Sequence, residues 1–504
     1  MSDAARARLE RWALPIALGV VALAGILAIA DVPPGIFQDD GHYLILARSL
    51  AAGAGYSYQN LPGAPGGTHF PPGYPALLAL VAAFIEAPRT QLAVMQFVNP
   101  LSLVLAAWAI ARFAKRAELE ATPRALVALI ACTTAPILFL TGILFSEIVF
   151  IAALYVVLDA MEGQVQRSAR AIALCALLGV AGGAVTLVRT LGVALPIAFI
   201  LHLAARRRWA DAAAAAGGAA LLLVPWLLWS TMHAPEVAPS IAGAYGSYGT
   251  WLTDAWQAGG SGFVLATLRA NARDLSIVLV PLGSAFVPGP MTLVLGLLLL
   301  AVLEAAVVRV RARMPVALTF AVGYLGLVLL WPFAPDRFLW PLWPLVVLLV
   351  ASVTNGRRWR DPLAIAVIIL SVCWLGWHAW AWPRRAWEAQ EREAAPKARL
   401  AVEVASSLPP GLIATDYDAV VHLATGRTAI PVQPLTAVER VRPRTPAERM
   451  AQLRASMAHY HPAWVVVVDR ESYDAADALT RGEAPWLVRE RVWPAGAVAF
   501  RALR

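Results

Sequence analysis

Residues 31–75 read DVPPGIFQDDGHYLILARSLAAGAGYSYQNLPGAPGGTHFPPGYP, and they interrupt a chain otherwise built of long apolar runs. The stretch holds adjacent carboxylates (Asp39, Asp40), two histidines (His42, His69), an arginine (Arg48) and four tyrosines (Tyr43, Tyr56, Tyr58, Tyr74). Polar groups held against a bilayer surface by flanking apolar helices mark a site more readily than a spacer.

Of the 504 residues, 59% are hydrophobic and 14% charged, and the mean hydropathy is +0.64. That balance excludes a soluble globular protein and points to an α-helical polytopic membrane protein. The net charge of +9 does not indicate nucleic acid, because the arginines fall in short clusters between apolar runs, where the positive-inside rule places them. The first run follows Arg6, Arg8 and Arg11 with no small-residue cleavage site after it, and reads as a retained helix. Cys132, Cys175 and Cys373 lie within apolar runs without metal or redox spacing, which predicts buried packing.

Spans of roughly 15–24 residues are read at Ala13–Ala30, Thr90–Phe113, Pro123–Thr141, Ser146–Met161, Arg170–Val188, Thr190–Ala204 and Asp211–Thr231. Four more follow at Gly289–Val308, Pro315–Phe333, Phe338–Thr354 and Pro362–Trp382, giving about eleven crossings. With this set the basic clusters Arg6/Arg8/Arg11, Lys115/Arg116/Arg124, Arg167/Arg170, Arg206–Arg208, Arg309/Arg311/Arg313 and Arg357/Arg358/Arg360 all face the cytoplasm. Counting Pro72–Ala87 or Leu275–Val287 as a span breaks that agreement, so both are read as interfacial or re-entrant. The expected organisation is a transmembrane domain over 1–382, its N-terminus cytoplasmic, with outer loops at 31–89 and 232–288. From Pro383 the composition shifts to a charged amphipathic helix, Trp387–Val404. Short β-like runs (Gly411–Thr415, Trp464–Val468, Ala497–Leu503) then alternate with helical pieces such as Pro446–Tyr460. Residues 383–504 therefore read as a small α/β domain on the outer, extracytoplasmic side.

The same outer face collects charge. A tight turn brings Glu147 there, Arg189 sits at the junction of two closely spaced spans, and WPFAPDRFLWPLWP (Trp331–Pro344) carries Asp336 and Arg337. Asp39 or Asp40 can act as a general base once shielded from water, although Asp40 also suits an N-cap for the helix Gly41–Ala51. Arg189 and Arg337 have little room to reach water, and a guanidinium there wants an anion such as phosphate; a pair with Asp336 would instead make Arg337 structural. Glu147 reads equally as a polar wall of the site or as the acid favoured at a helix N-terminus. His42 and His69 beside the two acids can hold a divalent metal, though their spacing matches no ligand motif. The tyrosines and the 19 tryptophans suit an interfacial aromatic belt, with Trp340 and Trp343 placed to meet a lipid tail.

These motifs, in this order, resemble the C-fold (GT-C) integral-membrane glycosyltransferases, nearest the branch of the protein O-mannosyltransferases and the aminoarabinose transferase that modifies lipid A. The resemblance rests on Asp39-Asp40 followed by Tyr43, Ala47-Arg48-Ser49-Leu50, Gly53-Ala54-Gly55-Tyr56 and Pro71-Pro72-Gly73-Tyr74-Pro75. Ser146-Glu147, Thr186–Arg189 and Arg337–Pro344 follow, and the whole covers roughly Trp12–Trp382. It implies transfer of a sugar from a polyprenyl-phosphate donor to a glycan, lipid or protein hydroxyl on the extracytoplasmic face, with inversion. It also implies Asp39 as the base, Arg189 and Arg337 as holders of the lipid phosphate, and no required metal or other cofactor. The site-shaping set is then His42, Tyr43, Arg48, Tyr56, His69, Tyr74 and Glu147, with Asp40 standing where the family commonly has Glu. The expected location is a bacterial inner membrane, with surrounding lipids and no nucleic acid as partners. A transporter or flippase of lipid-linked sugars is the alternative; it would place its polar groups near the bilayer midplane, where this chain has few.

Overall fold

The structure, a computed structural model, describes residues 3–167, 171–279, 290–354, 362–481 and 483–503. Arg170, the cluster Arg357/Arg358/Arg360 and most of the apolar run Leu275–Val287 lie outside the described residues. Helix α1 (Asp3–Leu27) leads into the polar loop, in which α2 (Asp39–Ala51) and α3 (Gly73–Ala82) form. Helices α4 (Pro88–Gln96) and α5 (Val98–Phe113) run on from one another, and α6 (Ala121–Cys132) meets α7 (Ala135–Gly142) at a 61° bend. Next come α8 (Glu147–Gln166), α9 (Ile172–Val188), α10 (Ala194–Ala205), α11 (Trp209–His233) and the single turn α12 (Ala242–Tyr245). Helix α13 (Tyr248–Leu279) breaks at Gly260, and α14 (Pro290–Val310), α15 (Pro315–Leu330), α16 (Trp343–Thr354) and α17 (Pro362–Ala381) follow.

All eleven apolar runs hold helix, and the protein is a polytopic α-helical membrane protein. Among the described residues, four helical stretches are long and apolar enough to cross a bilayer unaided, or five with the bent α6–α7 pair as one span. Apolar helices of 10–17 residues account for much of the remainder. Their shortness has a local cause. Helix α9 stops at Arg189, whose backbone is extended (φ −147°, ψ 128°), and α15 stops ahead of the Trp331–Asp336 turn, so the breaks fall where the candidate site residues stand. Helix α3, at 10 residues, is roughly 15 Å long and cannot cross a core of about 30 Å.

Packing between membrane helices relies on small residues, because lipid tails are as apolar as leucine and close backbone approach supplies the attraction. The α9–α11 pair illustrates this: a Cβ at Gly179 would collide with the Ala215 carbonyl, and one at Gly218 with the Ala176 carbonyl. At the end of α8 away from Glu147, basic groups gather. Arg116 reaches Asp159 at 2.6 Å and Arg208 donates to the Gln164 and Arg167 carbonyls at 2.9 Å.

The last part of the chain begins with α18 (Ala389–Ser407) and builds a mixed sheet from β1 (Ile413–Thr415), β2 (Ala429–Pro431), β3 (Trp464–Val467), β4 (Leu487–Val492) and β5 (Val498–Ala502). The order is β2-β1-β3-β5-β4; β1 pairs in parallel with β2 and β3, while β5 runs antiparallel to β3 and β4. Helices α19 (Asp418–Thr425), α20 (Pro446–Tyr460) and α21 (Arg470–Ala478) complete it. β1, β3 and β5 fall on the runs read as strands, whereas β2 and β4 lie on runs not read so: AIP is too short to show alternation, and LVRERV is largely exposed. One apolar cluster runs from Tyr43, Leu44 and Tyr74 through Tyr245 into Ile430, Val465 and Phe500, so the polar loop and the sheet share a core.

Gly218→Val is expected to lower thermal stability in detergent by roughly 1–3 kcal/mol, the ordinary cost of overpacking a close contact. Gly217→Val, where nothing approaches within 4 Å, should leave the melting temperature nearly unchanged.

Candidate functional site

Four charged side chains meet where α2, α8, α9 and the 3₁₀ turn Arg337–Leu342 converge. Arg337 Nη2 lies 2.6 Å from Asp39 Oδ2 and its Nε 3.1 Å from Glu147 Oε1. The same Glu147 oxygen lies 2.7 Å from Arg189 Nη1 as an ion pair, and Arg189 donates to Ser146 Oγ at 3.1 Å. Glu147 and Arg189 are buried; Asp39 and Arg337 keep partial access. Phe338 presents its ring to both guanidiniums, with centroid distances of 5.2 Å to Arg189 and 5.3 Å to Arg337. Asp336 is exposed, and Arg337 turns instead to Asp39 and Glu147.

Asp39 opens α2, where a carboxylate is favoured by the helix dipole. The residue before it, Gln38, holds φ 67°, a sparsely populated value for a side chain of that size that stores strain beside the acid. Burial is the largest influence and disfavours the Asp39 charge, but surrounding attractions led by the Arg337 guanidinium together outweigh it and hold the carboxyl below its ordinary value. Asp40 faces elsewhere: its oxygens accept the Gly35 amide at 2.6 Å and the Phe37 amide at 3.1 Å, closing the turn that leads into α2. Asp40 therefore ties the preceding loop to the helix and is not its N-cap, which is Gln38. Burial outweighs those amide bonds and raises the Asp40 carboxyl to about 7.

Two clefts flank this cluster. One is lined by Tyr43, Val188, Arg189, Leu191 and Trp331; the other by Asp39, His42, His69, Phe333 and Leu435. Phe70, Tyr248, Arg337 and Phe338 line both, as a shared partition. Burial holds His42 down to about 3, and burial lowers His69 despite its bond to the Gly246 carbonyl, so both imidazoles are neutral.

The remaining site-shaping residues divide. Tyr43 hydrogen-bonds Ser146 Oγ at 3.0 Å within the first cleft. Tyr56 donates to the Phe70 carbonyl at 2.8 Å, and Tyr74 packs edge-on against Tyr43 while donating to Asn99 at 3.3 Å; both buttress the site from behind. Arg48, in the last turn of α2, bonds Gln91 at 2.8 Å and is not brought to the cluster. Among the described residues no group of three His, Cys, Asp or Glu side chains is arranged to hold a metal ion. Tyr248, Phe70 and Leu435 were not singled out from the sequence; Phe70 and Leu435 are single apolar residues in loops and Tyr248 is the first residue of α13, with no pattern to announce any of them.

The sheet supports the site from below. The Tyr245 hydroxyl bonds Asp418, the first residue of α19, and Asn60 Nδ2 donates to Tyr245 at 2.6 Å. Ala419 stands so near α2 that a Cβ on Gly41 would lie 2.7 Å from it.

No family model matches the sequence, and neither does any curated protein. Solved structures do. ArnT from Cupriavidus metallidurans bound to undecaprenyl phosphate aligns with a TM-score of 0.54 at 15% identity, over 99% of this chain and 98% of that one. ArnT from the same organism in the apo state aligns at 0.55 and 14%, over 96% and 97%. The chain therefore shares the fold of these structures over nearly its whole length, the sheet included.

The Asp40 carboxyl has an ordinary value of 3.8, raised to about 7 in the fold. The folded state thus keeps a proton the unfolded state releases, and this contribution to stability, full below about pH 4, is lost as pH rises through about 7. Melting temperatures of wild type and Asp40→Asn across that window should converge on Asn being relatively the more stable at pH 8. A difference independent of pH would show that Asp40 titrates normally.

Proposed function

We propose that the protein is a glycosyltransferase that moves a sugar from a polyprenyl-phosphate donor to an acceptor hydroxyl, with inversion. One observation carries the reading: two clefts meet at Arg337, with the carboxylate of Asp39 on one side and a second guanidinium, Arg189, on the other. That arrangement sets a base opposite an anion site. The ArnT structure to which the chain aligns holds undecaprenyl phosphate, which supports a lipid phosphate as the anion.

In this mechanism Arg189 and Arg337 bind the donor phosphate, and Tyr43 and Tyr248 border it. The lipid tail leaves along the Arg337–Leu342 turn towards an apolar groove of about 280 Å³ between α6, α14, α16 and α17, which Trp343 lines. The acceptor oxygen attacks the anomeric carbon from the Asp39 side; as that C–O bond forms, the bond to the phosphate oxygen breaks and its electron pair leaves with the polyprenyl phosphate. The acceptor proton passes to Asp39. Charge growing on the phosphate is met by two fixed cations, the kind of preorganised stabilisation that lowers such barriers most. Glu147 keeps both cations in place.

We place the site on the extracytoplasmic face of a bacterial inner membrane, with about eleven crossings and a transmembrane domain over 1–382 followed by an outer domain over 383–504. The contacts of Arg116 and Arg208 at the opposite end of α8 support that orientation. A charge cluster at helix ends, away from mid-helix, speaks against a transporter.

Asp39→Asn is expected to reduce transfer by roughly 10²–10⁴-fold, the usual worth of a general base, with folding and undecaprenyl-phosphate binding preserved. Arg189→Ala and Arg337→Ala should each weaken undecaprenyl-phosphate binding measured by native mass spectrometry. Wild-type transfer by Asp39→Asn would remove the base; wild-type lipid binding by both arginine variants would remove the phosphate site.

A further inference from the structure

We propose that the cleft beside Asp39 takes the uncharged, multiply hydroxylated ring of a sugar acceptor, held by His42 and His69, and does not take a phosphate group or a peptide hydroxyl. This rests on the transferase reading above and names its acceptor.

The argument starts from hydrogen-bonding capacity. His69 Nδ1 is 2.7 Å from the Gly246 carbonyl oxygen; a carbonyl only accepts, so Nδ1 carries the proton and Nε2 is left as a lone-pair acceptor. Asp39, ionised beside Arg337, is also an acceptor. His42 is 1% exposed, lines the same cleft, and among the described residues neither of its ring nitrogens has a hydrogen-bond partner. Its ring is fixed in place by Tyr245 at 4.3 Å and Tyr58 at 5.4 Å, so it cannot turn away to find one. Buried polar atoms left unpaired are expensive, which makes these nitrogens the contact points of a bound molecule.

Three groups that accept, one of which also donates, require a ligand rich in donors. A sugar ring supplies several hydroxyls at once. A phosphate offers almost none, meets the Asp39 carboxylate as a like charge, and finds in this cleft one cation, Arg337, already shared by Asp39 and Glu147. A serine or threonine side chain brings a single hydroxyl, against the several on a sugar ring. The walls agree: Phe70, Tyr248, Phe333 and Phe338 offer apolar faces suited to a ring.

The test complements a deletion strain with wild type or Asp39→Asn and isolates the envelope sugar that appears with wild type alone. A glycosidic bond to another sugar, stable to mild acid and to β-elimination, is the expected linkage. Attachment to phosphorus, or to serine or threonine, overturns this inference and leaves the transferase reading standing; no sugar difference overturns both. In the same strain His42→Phe should lower the yield roughly tenfold or more, while native mass spectrometry shows undecaprenyl phosphate bound as by wild type. His42→Asn, which keeps a donor and an acceptor, should recover most of the yield. Equal losses in Phe and Asn, or none in Phe, overturn the role of His42.

Discussion

Two carboxylates and two guanidiniums, drawn from segments as much as 298 residues apart in sequence, neutralise one another at the mouth of an apolar bundle. Taking such charges from water is costly, and the cost is recovered only if each finds its counterpart in good geometry. Glu147 meets this demand by offering one oxygen to both arginines. The requirement reaches into the fold. Arg189 can face Glu147 because α9 ends there in extended backbone, and Arg337 faces both acids from a 3₁₀ turn ahead of α16. Removing any one member would leave an unbalanced charge in a half-dry cavity, so the four constrain where the helices break.

A second constraint comes from the other direction. Helix α2 carries Asp39 and His42, and its underside rests on Ala419 of α19 through Gly41. Tyr245 joins Asp418 to Asn60 and also packs, tilted, against the His42 ring. Leu435 forms part of the wall of the cleft beside Asp39, and its backbone lies against Gly243. The sheet is thus continuous with the site physically, through a common apolar core, and acts as the floor beneath the acid.

Much of this was legible in the sequence, and the part that was not has physical reasons. Apolar runs located the helices, because burial in lipid demands long uncharged segments. The outlying charges Asp39, Glu147, Arg189 and Arg337 stood out because each is expensive where it lies, and the structure brings these four together. Arg48 shared their surroundings in sequence but has its own local partner in Gln91. The direction of Asp40 depends on a turn at Gly35–Phe37 that adjacency alone does not reveal. Tyr248 and Leu435 reach the clefts through tertiary packing, and no spacing in the chain encodes that. Crossings were harder to count than helices, since kinks divide apolar runs into pieces shorter than a bilayer.

On the proposed mechanism, the pairing of Arg337 with Asp39 has a consequence for timing. A carboxylate held below its ordinary value by a cation is a weak base, poorly suited to activating anything while the site is empty. A donor phosphate competes for that cation, and each increment of charge it gains in the transition state draws Arg337 further from Asp39. The carboxylate becomes more basic as the acceptor hydroxyl becomes more acidic, so proton transfer is matched to bond breaking. Glu147 makes this exchange affordable, because Arg337 retains one anionic partner whichever of the other two it serves. The acid that looks least involved in bond making is therefore the one that lets the base and the leaving group share a single guanidinium.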